Sequence, residues 1–249
     1  MIGNAFQWLR SLLFNAQMYA AMPLFAIVFF PYALVSRDGA YKAIHTYTSW
    51  VLWTASWMVG LKTETRGTPP DSEVIIAAKH QSFLDILIIA NATPRPRFIM
   101  KSILRFAPIL GWFALRIGCV PVDRGKKTKA IEQMRQGVAN NPAGPGQLII
   151  YPQGTRVAPG AERPYKVGPA ILYTQLNQPC VPAATNVGMF WPRRGVTRKP
   201  GLGVVEFLEP IQPGLDQKAF MTKLEQVVET NSDRLMREAG LALPERTVT

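Results

Sequence analysis

His80 and Asp85 are the residues of this chain best suited to proton-transfer chemistry. They stand five apart in Lys79-His80-Gln81-Ser82-Phe83-Leu84-Asp85, between an apolar strand-like run ending at Ala78 and a helical pattern over Phe83–Ala90. On an ideal helix, residues five apart lie about 140° apart and cannot meet. The pair therefore works only with His80 on the turn and Asp85 in the first turn of the helix. There the carboxylate would hold one imidazole nitrogen and leave the other to take a proton, which suits activation of an alcohol. A second reading stands beside this one. Ser82-x-x-Asp85 is also a capping box, in which Asp85 only ties off the helix start. The other histidine, His45, lies in an apolar stretch without a carboxylate neighbour and reads as structural or interfacial. Cys119 and Cys180 are far apart and lack C-x-x-C spacing, so they read as buried thiols of a reducing compartment, and no metal site is expected.

The elements that must position this pair follow from periodicity. Val74–Ala78, Phe98–Met100, Cys119–Val122, Leu148–Tyr151, Cys180–Thr185 and Val204–Leu208 read as strands. Between and after them, Ile109–Ile117, Lys129–Asn140, Gly168–Leu176 and Asp216–Glu238 read as further helices, the last amphipathic with Asp216 as its cap. Such alternation predicts an α/β fold with a central, mostly parallel or mixed sheet flanked by helices. In open sheets of this kind, sites gather at the carboxyl ends of the strands.

The first sixty residues differ in kind. Ser11 to Ser36 carries no charge, which meets the requirement of about 20 apolar residues for crossing a bilayer, although Pro23 and Pro31 interrupt it and Asn15 and Gln17 dilute it. A second apolar run, Ala43 to Leu61, carries Trp50, Trp53 and Trp57, with Arg37, Asp38 and Lys42 in the connection. Spanning helices and a hairpin lying in one leaflet both fit, and an anchoring hairpin is favoured. The expected organisation is a membrane-anchoring hairpin over residues 1–62, a linker at Thr65–Asp71, and a domain over 63–249 that ends in the amphipathic helix. The formal net charge of +12 calls for anionic partners. Nine basic residues fall between Thr93 and Lys129, interleaved with Phe98, Ile103, Phe106 and Trp112, which favours an anionic membrane surface over nucleic acid. Arg193, Arg194, Arg198 and Lys199 form a second basic patch. No G-x-x-x-x-G-K-[ST], G-x-G-x-x-G or G-x-S-x-G is present, so neither a nucleotide cradle nor a serine elbow is expected, and no cofactor.

Four segments, in order, resemble the glycerolipid acyltransferase family. They are His80 to Asp85, Gly118-Cys119-Val120-Pro121-Val122-Asp123-Arg124, Tyr151-Pro152-Gln153-Gly154-Thr155-Arg156 and Val181-Pro182-Ala183-Ala184, with Arg163 to Gly168 matching a common continuation. The resemblance covers roughly residues 60–212. It implies acyl transfer from a thioester, acyl-CoA or acyl carrier protein, to the sn-2 hydroxyl of 1-acylglycerol 3-phosphate, giving phosphatidic acid at the cytoplasmic side of an inner membrane. His80 would be the general base and Asp85 its partner. Arg124 and Arg156 would hold the phosphate, with Lys101 a further candidate. Gly154 and Thr155 would shape a close backbone approach and an oxyanion donor. Each has a plainer reading: Arg156 as a loop arginine, Arg124 paired with Asp123, Thr155 capping a turn. Gln153 stands where the family usually has glutamate, which keeps other acceptors open: a lyso-ornithine lipid, glycerol 3-phosphate or another lysophospholipid. A basic, membrane-tethered binding module without catalysis is the rival of another class.

Overall fold

Apolar runs too short for helices set the centre of this molecule. A computed structural model of the protein describes residues 2–123, 127–141 and 143–244. Among these, β1 (Leu61–Arg66), β2 (Ile75–Ala78), β3 (Pro96–Lys101), β4 (Val120–Val122), β5 (Gln147–Ile150), β6 (Cys180–Thr185) and β7 (Gly201–Phe207) form one seven-stranded sheet in the order β1-β7-β6-β2-β5-β3-β4. All neighbours are parallel except β6 and β7. The sheet is thus the mixed α/β sheet expected. Strands β2, β5 and β6 are buried along their whole length, as parallel strands covered on both faces must be.

Side-chain alternation sends Ile76, Ala78, Ile149 and Tyr151 to one face, where they pack with Leu84, Leu87 and Ile88 of α3 (Leu84–Ala92). Ile75, Ala77, Leu148 and Ile150 face the other way, onto α5 (Lys127–Ala139), α6 (Gly168–Leu176) and α7 (Gln217–Glu238). A short α4 (Leu110–Arg116) follows a 3-10 turn at Ser102–Phe106. Asp216 caps α7 as its position predicts, accepting from the N–H of Ala219 at 2.9 Å.

The amino-terminal hairpin is α1 (Ile2–Val35) and α2 (Arg37–Met58). Its turn is tighter than the charges suggested. Arg37, Asp38 and Lys42 belong to α2, and Ser36 alone joins the helices, its hydroxyl capping α2 at the N–H of Asp38. Pro23 and Pro31 do not break α1. Beside Pro23, which removes a backbone donor, the Phe25 ring sits edge-on to Tyr47 and Trp50 of α2 and packs the two helices together. Asn4–Val35 is long and apolar enough to cross a membrane. Four polar residues of α1 make bonds: Gln7, Ser11 and Asn15, one helical turn apart, bond to backbone at Arg198 and Val196, and Gln17 bonds to Thr54 and Trp50. Phe14, Met18, Val51 and Val59 share a core with Ile76 and Trp191, so hairpin and sheet are packed as one body.

Other expectations need correction. Leu61–Arg66, placed across the hairpin end and the linker, is the edge strand β1, paired with β7. Its alternating Lys62, Glu64 and Arg66 conceal it, because an edge strand keeps one row of polar side chains in water. The basic stretches are not wholly a membrane face. Arg97 is buried against Glu73 and the Gly146 carbonyl, and Arg116 caps the end of α1 through the carbonyls of Ala33 and Leu34. Arg198 lies over the Trp191 ring, and burial pulls its guanidinium down to about 10.

Cys119 and Cys180 are buried, and burial pushes both thiols up to about 12. At pH 8 each is therefore protonated as well as shielded. Iodoacetamide at that pH is expected to label neither in the folded protein and both after denaturation, as counted by intact mass.

Candidate active site

Strand β2 hands the chain directly into the site. The N–H of Lys79 still bonds the Ala183 carbonyl of β6 at 2.9 Å, after which the backbone turns and presents His80. The Nδ1 of His80 donates to Asp85 Oδ1 at 2.8 Å, while Asp85 Oδ2 accepts the backbone N–H groups of Gln81 (2.9 Å) and Ser82 (2.7 Å). The two readings of the motif are thus one arrangement: one carboxylate oxygen holds the ring and the other holds the turn. Ser82 Oγ accepts from Leu84 N–H at 3.1 Å, two residues on, so the box is not the usual reciprocal one.

This geometry decides which imidazole nitrogen is basic. A carboxylate already accepting two N–H donors leaves Nδ1 as the proton-bearing nitrogen, and Nε2 keeps its lone pair. Nε2 makes no hydrogen bond among the described residues. The Asp85 side chain is fully buried and that of His80 is 11% exposed, so the pair is shielded except at the ring's outer edge. Tyr151, at the end of β5, stacks on the imidazole with centroids 3.9 Å apart and Phe98 behind it at 6.4 Å. No spacing rule in the sequence marks Tyr151 as a neighbour of His80. Only the β2–β5 register, Ala77 beside Ile150, brings it there.

Gly154, Thr155, Arg156 and Lys101 fall on the same rim, because β2, β5 and β3 are parallel neighbours that run in one direction. After β5 the chain loops back, and the N–H of Val157 bonds the His80 carbonyl at 2.8 Å. That contact sets Arg156 beside the histidine turn. Arg156 is half-buried, and its guanidinium makes no hydrogen bond or ion pair among the described residues. Gly154 has φ of +67°, a conformation only glycine adopts readily, and a Cβ there would come within 2.8 Å of Lys166 Nζ. Its own N–H is spent on the Tyr151 carbonyl at 2.9 Å. The amides of Thr155 and Arg156, by contrast, make no hydrogen bond among the described residues. Lys101 ends β3, exposed, two strands from β2 and in register with Val122. Arg124 lies outside the described residues. Asp123, just before it, accepts from Ser102 and Gln133, and the Ser102 hydroxyl holds its carboxyl below the usual range.

Beside the Gly154 turn, between α5 and α6, lies a cavity of about 530 Å³ with walls from Ile99, Val122, Ile131, Met134 and Ile150 and with Lys166 at its lining. Apolar walls of this kind suit a hydrocarbon chain better than a headgroup.

The family model described as Acyltransferase matches residues 62–186, half of the chain. A 1-acyl-sn-glycerol-3-phosphate acyltransferase of Pseudomonas aeruginosa is 24% identical over 200 residues, covering 78% of this chain and 77% of its own. The enzyme of the same name from Saccharomyces cerevisiae is 32% identical over 142 residues, covering 55% of this chain and 46% of its own. The crystal structure of the 1-acyl-sn-glycerophosphate acyltransferase from Thermotoga maritima superposes with a TM-score of 0.74 at 19% identity, over 91% of this chain and 97% of that one, and so shares the fold. The matched segment begins in β1 and ends just after β6, enclosing the His80 turn and the Gly154 loop alike; the chain belongs to the Acyltransferase family.

Proposed function

We propose that the protein transfers an acyl group from a thioester to the sn-2 hydroxyl of 1-acylglycerol 3-phosphate, giving phosphatidic acid. The observation that carries this reading is the His80–Asp85 contact, with Nε2 open at a rim that also bears Arg156. Nε2 takes the hydroxyl proton as the oxygen attacks the thioester carbonyl. The imidazolium that results is stabilised by Asp85. As the tetrahedral intermediate collapses, the C–S bond breaks and the thiolate takes the proton back. The amides of Thr155 and Arg156 are the candidates to receive the transient oxyanion. Arg156, with Arg124 and Lys101, supplies the cationic side that a phosphate needs.

The hairpin suits a lipid acceptor. Leu13, Ile27, Val28 and Trp53 of the hairpin, and Ile103 and Phe106 beyond β3, are exposed apolar side chains with Arg105 among them. Such a surface fits a bilayer rather than water. We place the catalytic domain on the cytoplasmic side of an inner membrane, where acyl-CoA and acyl carrier protein both reach it. Family membership sets aside the binding module without catalysis.

The test is a product profile by lipid mass spectrometry. Detergent-purified protein receives an acyl-CoA or acyl carrier protein donor with 1-acylglycerol 3-phosphate, a lyso-ornithine lipid and glycerol 3-phosphate in competition. Phosphatidic acid should dominate, and another product in its place would refute the acceptor. Arg156→Ala removes charged hydrogen bonds worth about 1.5–3 kcal/mol, so acceptor KM should rise roughly 10- to 100-fold while donor KM holds.

A further inference from the structure

Outside the site already described, the most heavily bonded buried charge belongs to α7. Lys79 Nζ lies 2.7 Å from Glu229 Oε1 and 2.6 Å from Oε2, with both side chains buried. The same Oε1 accepts the hydroxyl of Tyr165 at 2.9 Å and the Nε2 of Gln153 at 3.3 Å. Lys79 immediately precedes His80, and Gln153 immediately precedes Gly154. Tyr165 precedes Lys166, whose N–H returns to the Pro152 carbonyl at 2.9 Å. One carboxylate therefore joins the catalytic turn, the phosphate-side loop and the segment that closes that loop. Glu229 lies beyond the segment that defines the family match.

Burying an ion pair costs several kcal/mol per ion in desolvation, and an apolar pair of like volume often folds as well or better. Stability alone gives no reason to keep this one. What it provides is a fixed distance between two loops. Gln153 takes its place in that account because its amide donates, which an ionised glutamate cannot do. Glutamate at 153 would set a second carboxylate against Glu229.

We propose that Glu229 is a positioning residue for acyl transfer, fixing the Lys79-His80 turn against the Gly154–Arg156 loop, and that Gln153 is matched to it as the neutral half of a one-carboxylate arrangement. The proposal rests on His80 being the base. Its test uses the full-length protein and the acyl-transfer assay, with melting temperature measured beside kcat and KM. Glu229→Gln and Gln153→Glu each disturb the loop spacing and should lower kcat about 10- to 100-fold, with acceptor KM within about threefold. The double variant Q153E/E229Q moves the carboxylate across the 3.3 Å contact and should return kcat to within about threefold of the parent. Lys79→Met with Glu229→Leu covers the case in which the single variants do not fold. It should melt no lower than the parent yet remain about tenfold or more slower, which a purely structural pair would not produce. Parent-like kcat in E229Q or in K79M/E229L, or a double variant no faster than the worse single, overturns the proposal. His80→Ala run alongside separates the two failures. Full activity there removes the base itself, whereas loss there with an unaffected E229Q removes only the role of Glu229.

Discussion

Replacing His80 with alanine is expected to lower kcat by about 10²–10⁴-fold, the usual contribution of a positioned general base. The fold should persist. Asp85 keeps its Oδ2 bonds to the amides of Gln81 and Ser82, so the turn stays tied when the ring is gone. What is lost is the stack on Tyr151 and one partner of Oδ1, at a cost of roughly 1–3 kcal/mol that water entering from the rim reduces. Turnover of a lysophospholipid acceptor together with a thermal melt separates the two effects. Catalysis at the parent rate in a folded His80→Ala protein would end the mechanism.

Asp85→Asn should cost nearly as much activity with even less change in stability. The asparagine oxygen can still accept from the amides of Gln81 and Ser82, so the start of α3 is held. Its amide group must then face Nδ1 of His80 as a donor. That forces Nδ1 to accept, and the ring proton moves to Nε2. The nitrogen that should take the hydroxyl proton then already carries one. We expect kcat to fall about 10²–10⁴-fold, with acceptor KM little changed because no phosphate contact is touched. Asp85→Ala is a poorer probe, since it orphans two buried amides as well as the ring. A melting temperature unchanged in D85N but lowered in D85A would distinguish a tautomer effect from a collapsed turn.

How far the sequence carries the structure varies with the kind of signal. The strands β2, β5 and β6 were legible because strands buried on both faces read as unbroken apolar runs. His80 and Asp85 were legible because the motif is local, and a strand-to-helix turn leaves few ways to connect five residues. β1 was not, because an edge strand of alternating charge has the composition of a linker. Tyr151 and Glu229 were hidden for a different reason. Each reaches the site through a contact far away in sequence, the first across β2 and β5 and the second from α7. On a helical pattern, Glu229 beside Val228 looks like a solvated glutamate at the edge of an apolar face. Arg97 and Arg198 mislead similarly, since a count of charge does not tell a cation buried over a ring or a carbonyl from one facing lipid. Gln153 alone announced itself, by departing from a pattern, and the structure gives that departure a partner in Glu229.

The parallel pairing of β1 with β7 carries a consequence for how the chain comes to be folded. Leu61 leaves the ribosome well before its partner Gly201, and α7 emerges later still. Throughout that interval β1 and the flank of β6 are open edges, exposed to wrong pairing in the way slow, non-local sheets are. β7 and α7 therefore close the sheet and deliver Glu229 to Lys79 after the strands they cover have been made, so a nascent chain sets the His80 turn only once those two elements are in place.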